Sequence, residues 1–406
     1  MSRILVADHG VSAVRVIRAC AEEGVRSIAI YEDHELASPH SRLADEAYAL
    51  HGVDASQITI DSVIALARAA GADAVHPGQG PLAADTAAAR ATVDAGLVWL
   101  GSRLERQSLP ESASSGTAVR RIDVLVVADG SRPAVVVGAA DCTVGRRGRA
   151  LVSEAPAPVG QQLSAELHEA ARECAERMGL RGVGTAMFEI DRDDHARMLR
   201  FHVGITDGAA AIEAVTGVDV VREQLRIALG RPGTVGLAPA QHGHAMSFAV
   251  FAEDPGRGFL PSGGTVVELR EPGGPGIRWE ASSEVGCAVP ARFDELLACL
   301  TVTGQTRAAA LARSRRAIEE TMVRGVVTGL PLLRSIVDSD PFRSRSSQVS
   351  LRWVEESLMP SCRPEPRAVA APTQSLERVE GRLDGRDVRL RVPPGTITGS
   401  RVSAES

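Results

Sequence analysis

Ile4-Leu5-Val6-Ala7, followed by Asp8-His9-Gly10, is the stretch on which the fold class turns. Four consecutive apolar residues leave no polar face, the mark of a strand buried on both sides in a parallel sheet. After the turn a helical period begins. Val14, Ile17 and Ala21 share one face of a helix predicted over Ser12 to Glu23, and Gly24 ends it. The rhythm then repeats. Ser27 to Tyr31 reads as a second strand, Ile60 to Ala70 as a helix, Asp73 to His76 as a strand, Asp85 to Ala95 as a helix and Leu97 to Leu100 as a fourth strand. Such alternation predicts a parallel sheet covered by helices on both faces.

Past Leu104 the pattern changes. Leu104 to Gly116 is polar and Ser-rich and reads as a linker. Strands are expected at Ile122 to Val127 and Ala134 to Val137, a long helix at Ser164 to Met178, and strands at Thr185 to Ile190 and Met198 to Val203. A helix at Val220 to Leu229 precedes an antiparallel-looking set: Ala245 to Phe251, Thr265 to Glu271 and Gly276 to Glu280. A helix at Arg307 to Thr321 is expected to close the folded part. Residues 361–406, rich in Ser, Arg, Pro and Glu, read as poorly ordered. The exception is a hairpin, Glu377 to Gly381 with Val388 to Val392, around Asp384-Gly385.

Composition removes whole classes of chemistry. The 406 residues carry 45 Lys plus Arg against 51 Asp plus Glu, a formal charge of −6. All the basic residues counted there are Arg, for the chain contains no Lys, and it contains no Asn. A Walker A phosphate loop, a Schiff-base or PLP site, and a biotinyl or lipoyl attachment site each need a Lys, so each is excluded. The acidic balance argues against nucleic acid as a partner. Cys20, Cys142, Cys174, Cys287, Cys299 and Cys362 are scattered without a CxxC pair, which suggests neither a zinc site nor a disulfide framework. The start is not a signal peptide, and runs such as Ala134 to Ala140 are far too short to span a membrane. A soluble cytoplasmic protein is expected.

Many ordered segments together carry a family likeness. They include Ile4 to Gly10, Ala13 to Cys20, Arg42 to Ala47, Gly71 to Gly78, Asp141-Cys142-Thr143-Val144, Glu154 to Pro158 and Thr216 to Leu225. Gly243-His244-Ala245, Ala252 to Pro255, Gly273 to Arg278 and Arg324-Gly325-Val326 continue the series. Over about residues 1–355 the chain resembles the biotin carboxylases, the ATP-grasp subunits of acyl-CoA, acetyl-CoA and pyruvate carboxylases. The resemblance implies an α/β architecture. A pre-ATP-grasp parallel-sheet domain would span 1–102, a linker in place of the lid 103–120, and a reduced ATP-grasp domain 121–236. A β-rich C-terminal domain would span 237–358, and a tail like the connector to a carrier domain 359–406. It also implies ATP, Mg²⁺ and bicarbonate as ligands, and a homodimer or a hetero-oligomer with carboxylase subunits as the assembly.

Several functional positions of that family hold different chemistry here. Only nineteen residues lie between Gly101 and Arg121, too few for the lid subdomain that grips nucleotide phosphates with two Lys. Gly145, Gly148 and Ala150 occupy the places of a Gln, a His and a Lys. The two Glu that hold Mg²⁺ fall at Met187 and Val203, neither of which offers a hard oxygen. Glu189, two residues on and pointing the same way, is the candidate substitute ligand. The loop Gly204 to Ala211 is short and nearly uncharged. Arg278 stands where the family has an Arg associated with bicarbonate and biotin, and is the one retained catalytic candidate, alternatively an ion-paired or solvated hairpin residue. His76 and Glu189 are the cofactor-binding candidates, with His76 alternatively a strand-end histidine satisfied by backbone. His242 and His244 suggest no metal site, and Cys299, in a Lys position, reads as a small buried hydrophobe. Glu380 to Leu390 resembles the connector before a biotin carrier domain, but no Lys is present to biotinylate. No cofactor and no metal is therefore expected. The expected function is a degenerate, non-catalytic subunit with a structural or regulatory role in an acyl-CoA carboxylase assembly. Two alternatives stay open: a residual ATP-dependent carboxylase with a rebuilt site, and a sensor of nucleotide or acyl-CoA.

Overall fold

The apolar run at the start does become a doubly covered parallel strand. The computed structural model describes residues 3–50, 58–101, 103–104, 119–236, 239–292, 295–359, 362, 377–383 and 386–392. Strands β1 (Arg3–Val6), β2 (Arg26–Tyr31), β3 (Glu46–Ala49), β4 (Ala74–His76) and β5 (Val98–Trp99) form one sheet in the order β3-β2-β1-β4-β5. Every pairing is parallel. Ile4 and Val6 face helix α1 (Gly10–Glu22), where Ala13, Val16, Ile17 and Cys20 share their cluster. Leu5 faces the other way, with Val63, Ile64 and Ala67 of helix α2 (Ile60–Ala69) in its cluster, beyond which helix α3 (Thr86–Asp94) follows. Strand order reverses between β1 and β4. The C-terminal ends of these strands therefore open a crevice, where ligands bind in such sheets. Asp8 follows β1 and Gly78 follows β4. Gly78 has φ +69°, and a Cβ there would lie 1.9 Å from Asp8 Oδ2, so backbone and carboxylate touch only because the residue is glycine.

The second sheet is antiparallel. It comprises β6 (Arg120–Ala128), β7 (Val135–Asp141), β8 (Val152–Ala155), β9 (Leu180–Ile190), β10 (Ala196–Val203), β11 (His244–Phe251), β12 (Ile277–Ala281) and β13 (Leu296–Gly304). Their order is β10-β9-β6-β7-β8-β11-β13-β12, with Arg103–Leu104 added beside β9. Helix α4 (Gln161–Arg177) covers one face with Leu163, Leu167, Ala171 and Cys174 against Ile122, Val124 and Val126. Helices α5 (Ala209–Thr216) and α6 (Val220–Ala228) share their cluster with α1, which seats the antiparallel sheet against the parallel one. Further along, helices α7 (Arg307–Glu320) and α8 (Leu330–Asp338) cover Phe248, Leu300 and Val302.

Three expectations need correction. The folded part does not close near Thr321, because Leu332, Leu333, Ile336 and Val337 of α8 are all buried. β13 was not anticipated at all. The segment Thr265 to Glu271 is two short strands, Gly264–Thr265 and Glu268–Arg270, with different partners. The expected linker from Leu104 to Gly116 lies, after Leu104, outside the described residues, as does most of 361–406. Residues 1–366 form one compact unit and 367–406 a second. In the second, Glu377–Leu383 pairs antiparallel with Arg386–Val392, a longer hairpin than expected.

Candidate functional site

A cleft of about 370 Å³ opens between the crevice at β1 and β4 and one face of the antiparallel sheet. Asp8, Gly10 and Gly80 line it from the parallel sheet, Arg121, Arg149, Arg200 and Asp207 from the segment after it, and Glu280 and Cys299 from β12 and β13. Asp8 Oδ2 accepts the Gln79 N–H at 2.8 Å, which ties the loop after β4 to the end of β1.

Period-two geometry builds the floor. Arg121 and Asp123 are two apart on β6, so both side chains leave the same face. Arg121 Nε and Nη2 each donate to one oxygen of Asp123 at 2.8 Å, a bidentate pair. Thr206 Oγ1 also donates to Asp123 Oδ2, at 2.9 Å. Across the ladder Asp123 stands opposite Met187, and Met187 opposite Arg200. There the Arg200 Nε–H donates to the Met187 sulfur at 3.0 Å. Asp207 accepts the Ala150 N–H at 3.0 Å and faces Arg149 at 3.6 Å and Arg121 at 4.0 Å. Burial, then the neighbouring Arg200 charge, lowers the His202 pKa, so its ring is neutral at pH 7.

The opposite wall holds a second network. Glu213 on α5 and Glu280 on β12 share two guanidiniums. Arg15 lies 2.6 Å from Glu213 and 3.2 Å from Glu280, and Arg278 lies 3.2 Å and 3.4 Å from the same two. Burial opposes the charge on Arg15, but Glu213 and Glu280 overcome it and raise its pKa.

The residues singled out from sequence are not brought together. Arg278 sits in the network just described, and its Nη2 also donates to the Ala210 carbonyl at 3.3 Å. Glu189 faces Arg197 on the neighbouring strand at 3.1 Å, near the far end of β9. His76 is 1% exposed behind the Pro77-Gly78 turn, and its Nδ1 accepts the Gly78 N–H at 3.0 Å. Burial pushes the His76 pKa down to about 4, opposed by a hydrogen bond with Gln224. A base held neutral this way stabilises the fold above the unfolded value near 6.5, and the contribution is lost as pH falls toward 4. We expect His76 to account for about 3 kcal/mol of acid destabilisation across that window. Urea midpoints against pH, compared between wild type and His76→Gln, measure it. His244 Nε2 pairs with Glu154 at 2.8 Å. Cys299 is half-buried in the cleft wall, with Ser247 Oγ 3.0 Å away, and burial raises its pKa. Asp191, Asp193 and His195 gather in the β9–β10 turn, where Asp191 accepts the N–H groups of the other two and braces the turn.

Sequence reasoning missed Arg15, Arg121, Asp123, Arg200 and Glu213. A signal existed for two of them, since Asp123 interrupts an apolar strand pattern and Arg121 stands one period away on the same face.

These residues do not fit the metal ions that the family resemblance implies. Mg²⁺ demands hard oxygen ligands in near-octahedral array. Met187 instead offers sulfur to a guanidinium, and both Asp123 oxygens are engaged by Arg121. Asp207, Glu213 and Glu280 each face Arg as well.

Comparison with known proteins places the chain. The biotin carboxylase N-terminal domain matches residues 1–106, and the biotin carboxylase C-terminal domain matches 248–356. Between them, the ATP-binding domain of the carbamoyl-phosphate synthase large chain matches 114–234. The biotin-dependent acyl-coenzyme A carboxylase alpha3 subunit of Mycobacterium leprae is 30% identical over 97% of this chain and 81% of that protein. Biotin carboxylase of Haemophilus influenzae is 26% identical over 88% of this chain and 99% of its own length. Among solved structures, the biotin carboxylase domain dimer of Hydrogenobacter thermophilus 2-oxoglutarate carboxylase is 26% identical, with a TM-score of 0.80 over 87% of this chain and 97% of that one. That structure is a complex with MgADP, ADP and bicarbonate. Rhizobium etli pyruvate carboxylase gives the same TM-score at 27% identity, although this chain spans only 39% of it. With its fold, its three matched domains and a relative of this closeness, the chain belongs to the biotin carboxylase family.

Proposed function

We propose that the chain is a non-catalytic subunit of an acyl-CoA carboxylase assembly, with a structural or regulatory role. The observation that carries this reading is the guanidinium at the metal position. Where the family resemblance calls for a carboxylate, Met187 presents a thioether to Arg200. Phosphoryl transfer to bicarbonate depends on metal ions to neutralise developing charge and on a lid to exclude water. The composition supports the same reading, since 51 acidic residues persist in the chain while these positions lack them. A place among the carboxylase subunits in the cytoplasm is part of the proposal. Among the described residues, no helix is long and apolar enough to cross a membrane.

A candidate contact surface lies beside the parallel sheet. Leu36, Leu43 and Val285 are exposed by 64%, 49% and 61%. The ion pair of Arg42 with Glu284 and the Cys287 Sγ–H donated to the Ala37 carbonyl set these segments side by side. Clustered exposed apolar residues of this kind mark association surfaces.

Purified chain given ATP, Mg²⁺, bicarbonate and free biotin should release phosphate at the blank rate, with Glu189→Ala unchanged. It should co-elute with active carboxylase subunits. Bicarbonate-stimulated turnover, or a strictly solitary monomer, overturns the proposal.

A further inference from the structure

We propose that the chain holds a second ligand site, on the face of the antiparallel sheet turned away from the cleft, and that this site takes a short aliphatic carboxylate. Alternation along the strands separates the two sites. Ser153 on β8 and Arg121 on β6 line the cleft, while their neighbours Glu154 and Arg120 line a cavity of about 410 Å³ on the other face. Small-molecule sites occupy roughly 300–1,000 Å³. The cavity is also a junction. Val144, Val152 and Glu154 belong to the matched ATP-binding domain, whereas Arg307, Phe342 and Val349 come from the matched C-terminal domain.

Apolar surface sets the body of the ligand. Val144 and Val152 line the cavity from the sheet, and Phe342 and Val349 from the segment after α8. An aliphatic chain withdrawn from water among them gains free energy with each methylene buried.

Charge sets the head group. Glu154 is one carboxylate between two guanidiniums. Arg307 is fully engaged: Nε and Nη2 donate to Glu154 at 2.7 and 3.1 Å, and Nη1 and Nη2 donate to the Arg343 and Phe342 carbonyls at 2.9 Å. Arg345 keeps capacity in reserve. Its side chain is 40% exposed, and among the described residues its guanidinium donates one hydrogen bond, from Nη2 to Glu154. Two positive charges against one negative leave this end positive, and the Arg345 fork has donors left for a second carboxylate. The far end has the opposite balance, for Asp191 and Asp194 line it with Arg192. Between the two ends Arg120 and Asp141 pair at 3.3 Å. β7 and β6 lie between β8 and β9 in the sheet, so strand spacing sets the ends about 14 Å apart. The cavity is thus polarised along its length, which draws an anionic head to Arg345 and disfavours a cationic one there.

Calorimetric titration of the full chain with hexanoate, hexylammonium and 1-hexanol at pH 7 tests this. Hexanoate should bind saturably, at least tenfold tighter than either of the other two, which carry the same chain with a positive or no charge. Arg345→Gln should weaken hexanoate about tenfold or more. It leaves Glu154 its bonds to Arg307 and His244. Val349→Glu, which sets a carboxylate among the apolar walls, should abolish binding and decides the matter should Arg345→Gln fail to fold. Arg149→Gln, in the cleft on the other face, should leave the affinity unchanged. Absence of saturable hexanoate binding, equal affinity for hexylammonium or 1-hexanol, indifference to both cavity substitutions, or loss of binding in Arg149→Gln would each overturn the proposal.

Discussion

Glu213→Ala is expected to lower the free energy of unfolding by about 3 kcal/mol. Glu213 is 4% exposed, and one oxygen lies 2.6 Å from Arg15 while the other lies 3.2 Å from Arg278. It also accepts the Val220 N–H at 3.0 Å, so the end of one helix and the start of the next hang on the same carboxylate. Removing one member of a buried ionic group leaves its partners charged and underpaired, which costs roughly 3–5 kcal/mol. The lower end applies because Glu280 remains within 3.4 Å of both guanidiniums. Denaturant titration measures the loss, and a double-mutant cycle with Arg278→Ala should recover part of it. A cost under about 1 kcal/mol would show the network to be ornamental to stability.

Glu154→Ala should cost more, at the upper end of about 3–5 kcal/mol. Glu154 on β8 meets three partners at once: the His244 ring at 2.8 Å and two guanidiniums, Arg307 at 2.7 Å and Arg345. Among the described residues, no second carboxylate pairs with these three partners. Burial alone would raise the Glu154 pKa, but the hydrogen bonds from His244 and Arg307 and the guanidinium charges hold it at about 2. A carboxylate depressed in the folded state stabilises above its unfolded value near 4.5, and that stability is lost as pH falls toward 2. Wild type should therefore lose this contribution between pH 4.5 and 2, and Glu154→Ala should show a flatter acid limb. Equal acid slopes in both proteins would refute the assignment.

How much of this could be read beforehand differs between fold and site. The parallel sheet was readable because β1, β2 and β4 are short and apolar and the intervening helices have clean helical periods. α1 came out as Gly10–Glu22 against an expected Ser12 to Glu23. β13 was not readable in the same way. Leu-Leu-Ala-Cys-Leu-Thr-Val-Thr-Gly is apolar over a length that suits a buried helix turn as well as a strand, and only pairing between β11 and β12 decides it. α5 was missed because an Ala-rich segment following glycines has weak periodicity of its own. That Met187 and Val203 stand where the family has its Mg²⁺-holding Glu residues is what the resemblance implies, and it needs no structure to state. The arrival of Arg200 at the Met187 sulfur could not be read ahead, since it depends on a register that shifts between Met187 and Phe188. Likewise Arg15 and Glu213 are 198 residues apart and meet only because α1 and α5 are drawn into one hydrophobic cluster.

The pairing of β8 with β11, from Val152 opposite Phe248 to Ala155 opposite Ala245, bears on how the molecule comes apart. Backbone hydrogen bonds cross there from the matched ATP-binding domain to the strand on which the next matched domain begins, so melting on one side strips the other. The two segments should unfold as one cooperative block and give a single calorimetric peak. A fragment ending near residue 236 would leave Val152–Ala155 as a raw sheet edge of apolar and polar backbone groups, an invitation to aggregate rather than an independent module.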